Sequence, residues 1–210
     1  KTGLSEEQFA QEFECSFDAA VIGAYYGKLM QQAQDDKRVT GVPYEPTSQV
    51  WTAWDLGIRD ATAIWFCQLQ GKAVYLIDYL ESTGADSAPY AKQLLEKPYS
   101  YAQHFLPHDA GPNRVGVDRS YVDFLKDHGL KNITVLPAGI REHGINTVRL
   151  LLSRCSFDSF RCELGIESLK MYQTEWDEKN KTFKSTPKHD WASHGADAFR
   201  YLAVGLDKHV

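Results

Sequence analysis

The chain has 210 residues, 43% hydrophobic and 24% charged, with a formal net charge of −5 and four cysteines. This is the composition of a globular protein long enough to bury one substantial core. It excludes a disulfide-stapled miniprotein, and no apolar run reaches the roughly 20 residues of a membrane span or opens the chain as a signal peptide, so a soluble intracellular protein is expected. Acidity does not exclude a nucleic-acid enzyme, because a carboxylate cluster that repels phosphates is neutralised when cations occupy it.

The chain opens at Lys1 without a methionine and runs directly into Leu4-Ser5-Glu6-Glu7-Gln8-Phe9, from which an upstream partner domain is expected. Residues 4 to 40 carry Phe9, Phe13, Ala20, Ile22, Tyr25 and Leu29 at helical spacing and end in a polar stretch, Gln31 to Arg38. Pro43 and Pro46 then discourage helix, so residues 1–46 read as a helical arm or linker and residues 47–210 as the main domain. Runs rich in valine, tryptophan, tyrosine and isoleucine follow: Val50 to Leu56, Ala61 to Gln70 and Lys72 to Glu81. They predict three consecutive antiparallel strands. Beyond them the pattern predicts a helix over Ser87 to Leu95, a strand over Gln103 to Pro107, a helix near Tyr121 to His128 and a strand over Ile133 to Leu136. Helices are predicted over residues 141–154 and Cys162 to Tyr172, while Phe157-Asp158-Ser159-Phe160 between them is too short to assign. Glu175 to Lys188 reads as two short strands around a polar turn, and Asp190 to Leu206 as a closing amphipathic helix. Such an order makes a mixed α/β sheet with helices on its faces. The cysteines Cys15, Cys67, Cys155 and Cys162 match no zinc spacing and read as reduced thiols, Cys67 as core filler.

Three acids interrupt this apolar framework. Asp55 ends the run Val50-Trp51-Thr52-Ala53-Trp54-Asp55 just before Gly57, where an ionised carboxylate is costly to bury unless it caps a turn or meets a cation. Asp109 follows the short strand Phe105-Leu106-Pro107-His108, at the strand end where open α/β sheets place their ligands. In the last helix Asp190, His194 and Asp197 are spaced i, i+4, i+7 and share a face, although Asp190 alone reads as an N-cap and His194 alone as a surface or core histidine. Two strand-end acids and one helical acid supply what two divalent cations need: hard oxygen ligands from several directions, with positions left for water and phosphate.

The Trp-Asp-Leu-Gly strand, the His-Asp-Ala-Gly strand end and the His-Gly-Ala-Asp-Ala-Phe-Arg-Tyr helix together resemble the nuclease domain of the large terminase subunit of tailed bacteriophages, a branch of the RNase H-like nucleases. The similarity begins near Phe13-Glu14-Cys15-Ser16-Phe17, like the segment that joins motor to nuclease, and extends to the final helix. It implies an RNase H-like mixed sheet, first three strands antiparallel and then parallel, with an N-terminal helical arm. It also implies an endonuclease that cuts concatemeric double-stranded viral DNA during genome packaging in the bacterial host cytoplasm, with Asp55, Asp109 and Asp197 as ligands of two divalent cations, Mg²⁺ or Mn²⁺, His194 in or beside their shell and Asp190 as a further candidate ligand. The implied partners are an N-terminal ATPase domain of the same full-length chain, the terminase small subunit and the portal protein. Gly27-Lys28 and Gly71-Lys72 lack the remainder of a P-loop, so no ATPase activity is expected from these residues.

Secondary candidates have plainer readings beside them. Asp60 reads as a turn residue or a further ligand, and Glu81 as a solvated strand end or an acid facing the cluster across the sheet. Arg200, three residues beyond Asp197, reads as an orienting ion pair. Lys179, Lys181, Lys184 and Lys188 in the excursion read as a phosphate-tracking flap or as a solvated loop. A resolvase- or transposase-type RNase H-like nuclease would share the acids without the joining segment. A non-catalytic module docking a packaging motor would use them only as caps and turns.

Overall fold

The computed structural model describes residues 23–57, 61–83, 87–111, 120–138 and 141–209. Asp60, Cys15 and residues 1–22 of the expected arm lie outside them. The elements in chain order are α1 (Gly27–Asp35), β1 (Val39–Thr40), β2 (Val50–Asp55), β3 (Ala61–Gln70), β4 (Ala73–Thr83), α2 (Ser87–Glu96), β5 (Tyr101–Leu106), a 3₁₀ turn (His108–Ala110), α3 (Tyr121–Asp127), β6 (Ile133–Val135), α4 (Arg141–Leu152), β7 (Cys155–Asp158), α5 (Glu163–Met171), β8 (Thr174–Asp177), β9 (Thr182–Pro187) and α6 (Trp191–Leu206).

Seven strands form one sheet in the order β1-β7-β4-β3-β2-β5-β6, and β8 and β9 form a separate two-stranded ribbon. As expected, β2, β3 and β4 are consecutive antiparallel neighbours, and β5 and β6 continue beyond β2 in parallel. The central strand β3 is buried from Ala61 through Gln68, which explains its nearly unbroken apolar sequence. Its alternate residues feed two cores. Ile64 and Phe66 join Val50, Trp54, Ile77, Tyr90, Leu94 and Leu125 under α2 and α3. Ala63, Trp65 and Cys67 join Ala53, Val148, Phe157, Ile166, Phe199 and Leu202 under α4, α5 and α6.

Two features differ from the sequence reading. The stretch between the two predicted helices holds β7, which overlaps the first two residues of the unassigned Phe157-Asp158-Ser159-Phe160 and pairs in parallel with β4 and β1. Four residues carry too little pattern to register; the ladder and the Arg38 guanidinium, donating to the carbonyls of Leu152 (2.9 Å) and Cys155 (2.7 Å), hold it in place. On the arm side of residue 46, Tyr26, Met30 and Ala33 are buried, β1 lies at the sheet edge, and Val42 enters the second core.

Candidate metal centre

The parallel pairing of β2 with β5 sets Ala53 opposite Phe105, so the C-terminal ends of the two strands emerge at one edge of the sheet. Asp55 is the last residue of β2, and Asp109 lies in the 3₁₀ turn just past β5, exposed. By strand alternation Asp55 shares the face of Ala53, the face that α6 covers. α6 follows an N-cap in which Asp190 accepts from the Ala192 N–H (3.1 Å), and its buried small residues let it lie close to the sheet.

This packing brings His194 and Asp197 toward Asp55. His194 Nδ1 lies 3.5 Å from Asp55 Oδ2, with both side chains largely buried. Burial pushes the Asp55 carboxyl above the usual carboxylate range and the negative charge of Asp197 adds to the effect, while the hydrogen bond and charge of His194 and the charge of Arg200 oppose it. Asp197 Oδ1 accepts from Arg200 Nη2 (3.0 Å) and from the Tyr172 hydroxyl (3.3 Å). Tyr201, the next residue on α6 after Arg200, feels all three acids: its hydroxyl is pushed up to about 12, mainly by burial, opposed by Arg200 and reinforced by Asp55, Asp197 and Asp109.

The remaining candidates are placed as follows. Asp190 caps α6 and pairs with Lys188 (3.2 Å). Lys181 pairs with Glu178 (3.1 Å) and Lys184 with Glu175 (2.7 Å), and Lys179 is exposed on the same hairpin. Glu81 sits in register with Ala63, which is in register with Asp55, so these residues form a row across one sheet face; Glu81 accepts from the Tyr79 hydroxyl. Asp78 belongs elsewhere, bound by Lys97 (2.5 Å) and Tyr99 (3.0 Å). Tyr172 escaped the sequence reading, because a tyrosine at the C-cap of a helix carries no signal of what it will touch. Among the described residues no three His, Cys, Asp or Glu side chains are grouped closely enough to hold a metal ion by themselves.

The donor set nevertheless suits a hard divalent cation. All three acids offer oxygen, the ligand type of Mg²⁺, Mn²⁺ and related ions, while the neighbouring imidazole is a softer donor more usual with later transition metals. A cation would also relieve the strain of holding Asp55 ionised beside Asp197 with little solvent.

A sheet whose first three strands are antiparallel and whose next two are parallel, with a closing helix packed against the first strand, has the RNase H-like strand order. No protein-family model and no curated protein matches the chain. Solved structures do. The nuclease domain of the large terminase g2p from bacteriophage SPP1, solved with bound Mn, superimposes with a TM-score of 0.60 at 20% identity over 77% of this chain and 87% of its own. The large terminase nuclease from thermophilic phage G20c gives 0.57 at 15% identity, over 90% of this chain and 100% of its own, and was also solved with bound cobalt. The large terminase from thermophilic bacteriophage D6E gives 0.62 at 17% identity over 81% of this chain, which spans only 43% of that protein. The chain has the fold of phage large-terminase nuclease domains.

Proposed function

We propose that the chain is the nuclease domain of a tailed-phage large terminase and that it hydrolyses phosphodiester bonds of double-stranded, concatemeric viral DNA during packaging. The observation that carries this reading is the neighbourhood of Asp55 at the end of β2: His194 Nδ1 of α6 lies 3.5 Å from its Oδ2, the charge of Asp197 on the same helix acts on it, and Asp109 follows β5, the strand parallel to β2. Asp55, Asp109 and Asp197 would hold two divalent cations, Mg²⁺ or Mn²⁺, with His194 in or beside their shell. When bound, such ions supply a nucleophilic hydroxide from water and stabilise charge on the leaving oxygen.

The protein's own residues would do the rest. Asp55 and Asp197 are fixed by β2 and α6, so their spacing is set by the core and needs little reorganisation. His194 orients the Asp55 carboxylate. Asp109, on an exposed turn, lies at the open side from which a phosphate backbone would approach. The proposed partners are double-stranded DNA, an ATPase domain in the full-length chain, a small terminase subunit and a portal, in the host cytoplasm. No described helix is long and apolar enough to cross a membrane.

Supercoiled plasmid incubated with Mn²⁺, Mg²⁺ or EDTA, beside Asp55→Asn and Asp197→Asn, tests the reading. Metal-dependent nicking and linearisation, lost in both variants, is expected. Absence of cleavage in every lane together with absence of Mn²⁺ binding by calorimetry would overturn it in favour of a motor-docking module.

A further inference from the structure

Asp197 is held by only one of its oxygens. Oδ1 accepts from Arg200 Nη2 (3.0 Å) and from the Tyr172 hydroxyl (3.3 Å), and these are its only side-chain hydrogen-bond donors among the described residues. Both donors are themselves fixed before any ligand arrives. The Arg200 side chain is buried, its guanidinium lies 5.1 Å from the centre of the Tyr201 ring, and its stem lies where a side chain at Gly144 of α4 would otherwise sit, 2.6 Å from an added Cβ. Its Nε, like the Tyr26 hydroxyl nearby, has no hydrogen-bond partner among the described residues. A buried guanidinium left partly unsatisfied is costly, and that cost is hard to explain as a contribution to stability alone. Tyr172 is fixed from the other side. Its ring lies 5.7 Å from that of Tyr26, nearly parallel to it, and 5.2 Å from that of Tyr25, and its carbonyl accepts from the Tyr25 N–H (2.9 Å).

From this arrangement we infer that Arg200 and Tyr172 are positioning residues that clamp Oδ1 of Asp197 and leave Oδ2 as the one oxygen presented to a divalent cation. The inference rests on the metal-site reading above and specifies how one ligand is aimed. A carboxylate free to rotate samples one- and two-oxygen contacts, whereas a clamped one offers one oxygen in a fixed orientation at little ordering cost. Hydrogen-bonding partners of metal ligands typically change metal affinity by about 10–100-fold when removed. The clamp reaches the segment before α1, because Tyr25 and Tyr26 hold Tyr172 in place.

The test is Mn²⁺ titration by calorimetry on the whole chain and on Arg200→Met, Arg200→Lys and Tyr172→Phe, with melting in EDTA as the control for folding. Arg200→Met and Arg200→Lys are both expected to weaken Mn²⁺ binding about tenfold, because lysine keeps the charge but not the planar fork. Tyr172→Phe keeps the ring contacts, loses one neutral hydrogen bond and is expected to weaken binding a few-fold, so it carries the test if the Arg200 variants do not fold. Unchanged affinity in Tyr172→Phe and Arg200→Lys, or tighter binding in Arg200→Met, would overturn the inference: the arginine would then act as a charge and not as a clamp. Failure of the unaltered chain to bind Mn²⁺ would overturn the metal-site reading as well.

Discussion

Gly195 is where the candidate centre depends most directly on packing. A Cβ added there would lie 2.1 Å from Ser168 Oγ, 2.9 Å from Ser168 Cβ and 2.7 Å from the Tyr79 hydroxyl, against ordinary contacts of about 3.5–4.0 Å. Rotating the Ser168 hydroxyl would break its hydrogen bond to the Gly165 carbonyl (2.7 Å) and would leave its Cβ too close. Tyr79 has little room to retreat, since its ring packs 4.7 Å from that of Trp65 and its hydroxyl donates to Glu81. Trp65 Nε1 also donates to the Gly195 carbonyl (2.8 Å), tying the backbone of α6 to the central strand. Gly195→Ala must therefore push α6 away from α5 and β4. Overpacking costs about 1–3 kcal/mol and the lost serine hydrogen bond about 1 kcal/mol, against a helix-propensity gain of about 1 kcal/mol, a net loss of about 1–3 kcal/mol. For a domain of this size that lowers the melting temperature by about 3–10 °C. Urea denaturation and thermal melting measure it directly. Because His194 and Asp197 flank Gly195 on the same helix, Mn²⁺ affinity should fall with stability. Ser168→Ala in the same chain should recover part of the loss, since it removes the nearest atom. A Gly195→Ala protein about 1 kcal/mol more stable than its parent, as expected of an exposed helical glycine, would refute the close approach and the account of how α6 is seated.

Asp55→Asn should melt above the parent in EDTA at neutral pH. The folded carboxyl titrates above its unfolded range, so ionisation favours the unfolded chain and stability falls as pH rises through that window; asparagine avoids this loss, and Mn²⁺ should reverse the order of the two proteins. His104 gives the opposite slope. Burial pushes its imidazole down to about 4, and Thr52 Oγ1 lies 2.6 Å from its Nδ1. The unfolded histidine takes up a proton first, so up to about 3 kcal/mol of stability is present above the ordinary histidine range and is lost as pH falls toward 4; melting temperature against pH should flatten over that window in His104→Asn. Charge reversal at Lys181 and Lys184 should weaken duplex binding and reduce its salt dependence by about two counterions while leaving Mn²⁺ affinity unchanged. Unchanged duplex affinity in that variant would take the hairpin out of the DNA path.

The legible parts of the fold were those where periodicity runs long enough to register. Ala61–Gln70, buried on both sides, and Trp191–Leu206, with its apolar stripe, announce themselves. So do Asp55 and Asp109, because an acid at the end of an apolar strand conflicts with its surroundings unless the strand end serves a site. β7 is too short to show a period and exists through its ladder with β4, a contact between residues about 80 apart in the chain. The roles of Tyr172 and Gly144 were equally invisible. Each depends on which helix lies opposite, and that is decided by the whole core and not by any window of sequence.

The arrangement also bears on why an acidic chain would be suited to a polyanion. Two lysines of the β8–β9 hairpin are engaged with local acids, Lys181 with Glu178 and Lys184 with Glu175. Exposed pairs of this kind are worth at most about 1 kcal/mol and are screened by salt, so a phosphate could exchange for the carboxylate at little cost. The candidate centre is different. Asp55 is shielded from solvent and feels the negative charge of Asp197, a repulsion that His194 and Arg200 oppose. A duplex approaching these residues would meet the negative charge of the acids, and bound divalent cations would turn the same surface attractive. Metal binding and DNA binding should therefore be thermodynamically linked, each tightening the other, and Mn²⁺ titrations with and without a short duplex should show the same coupling factor from either direction.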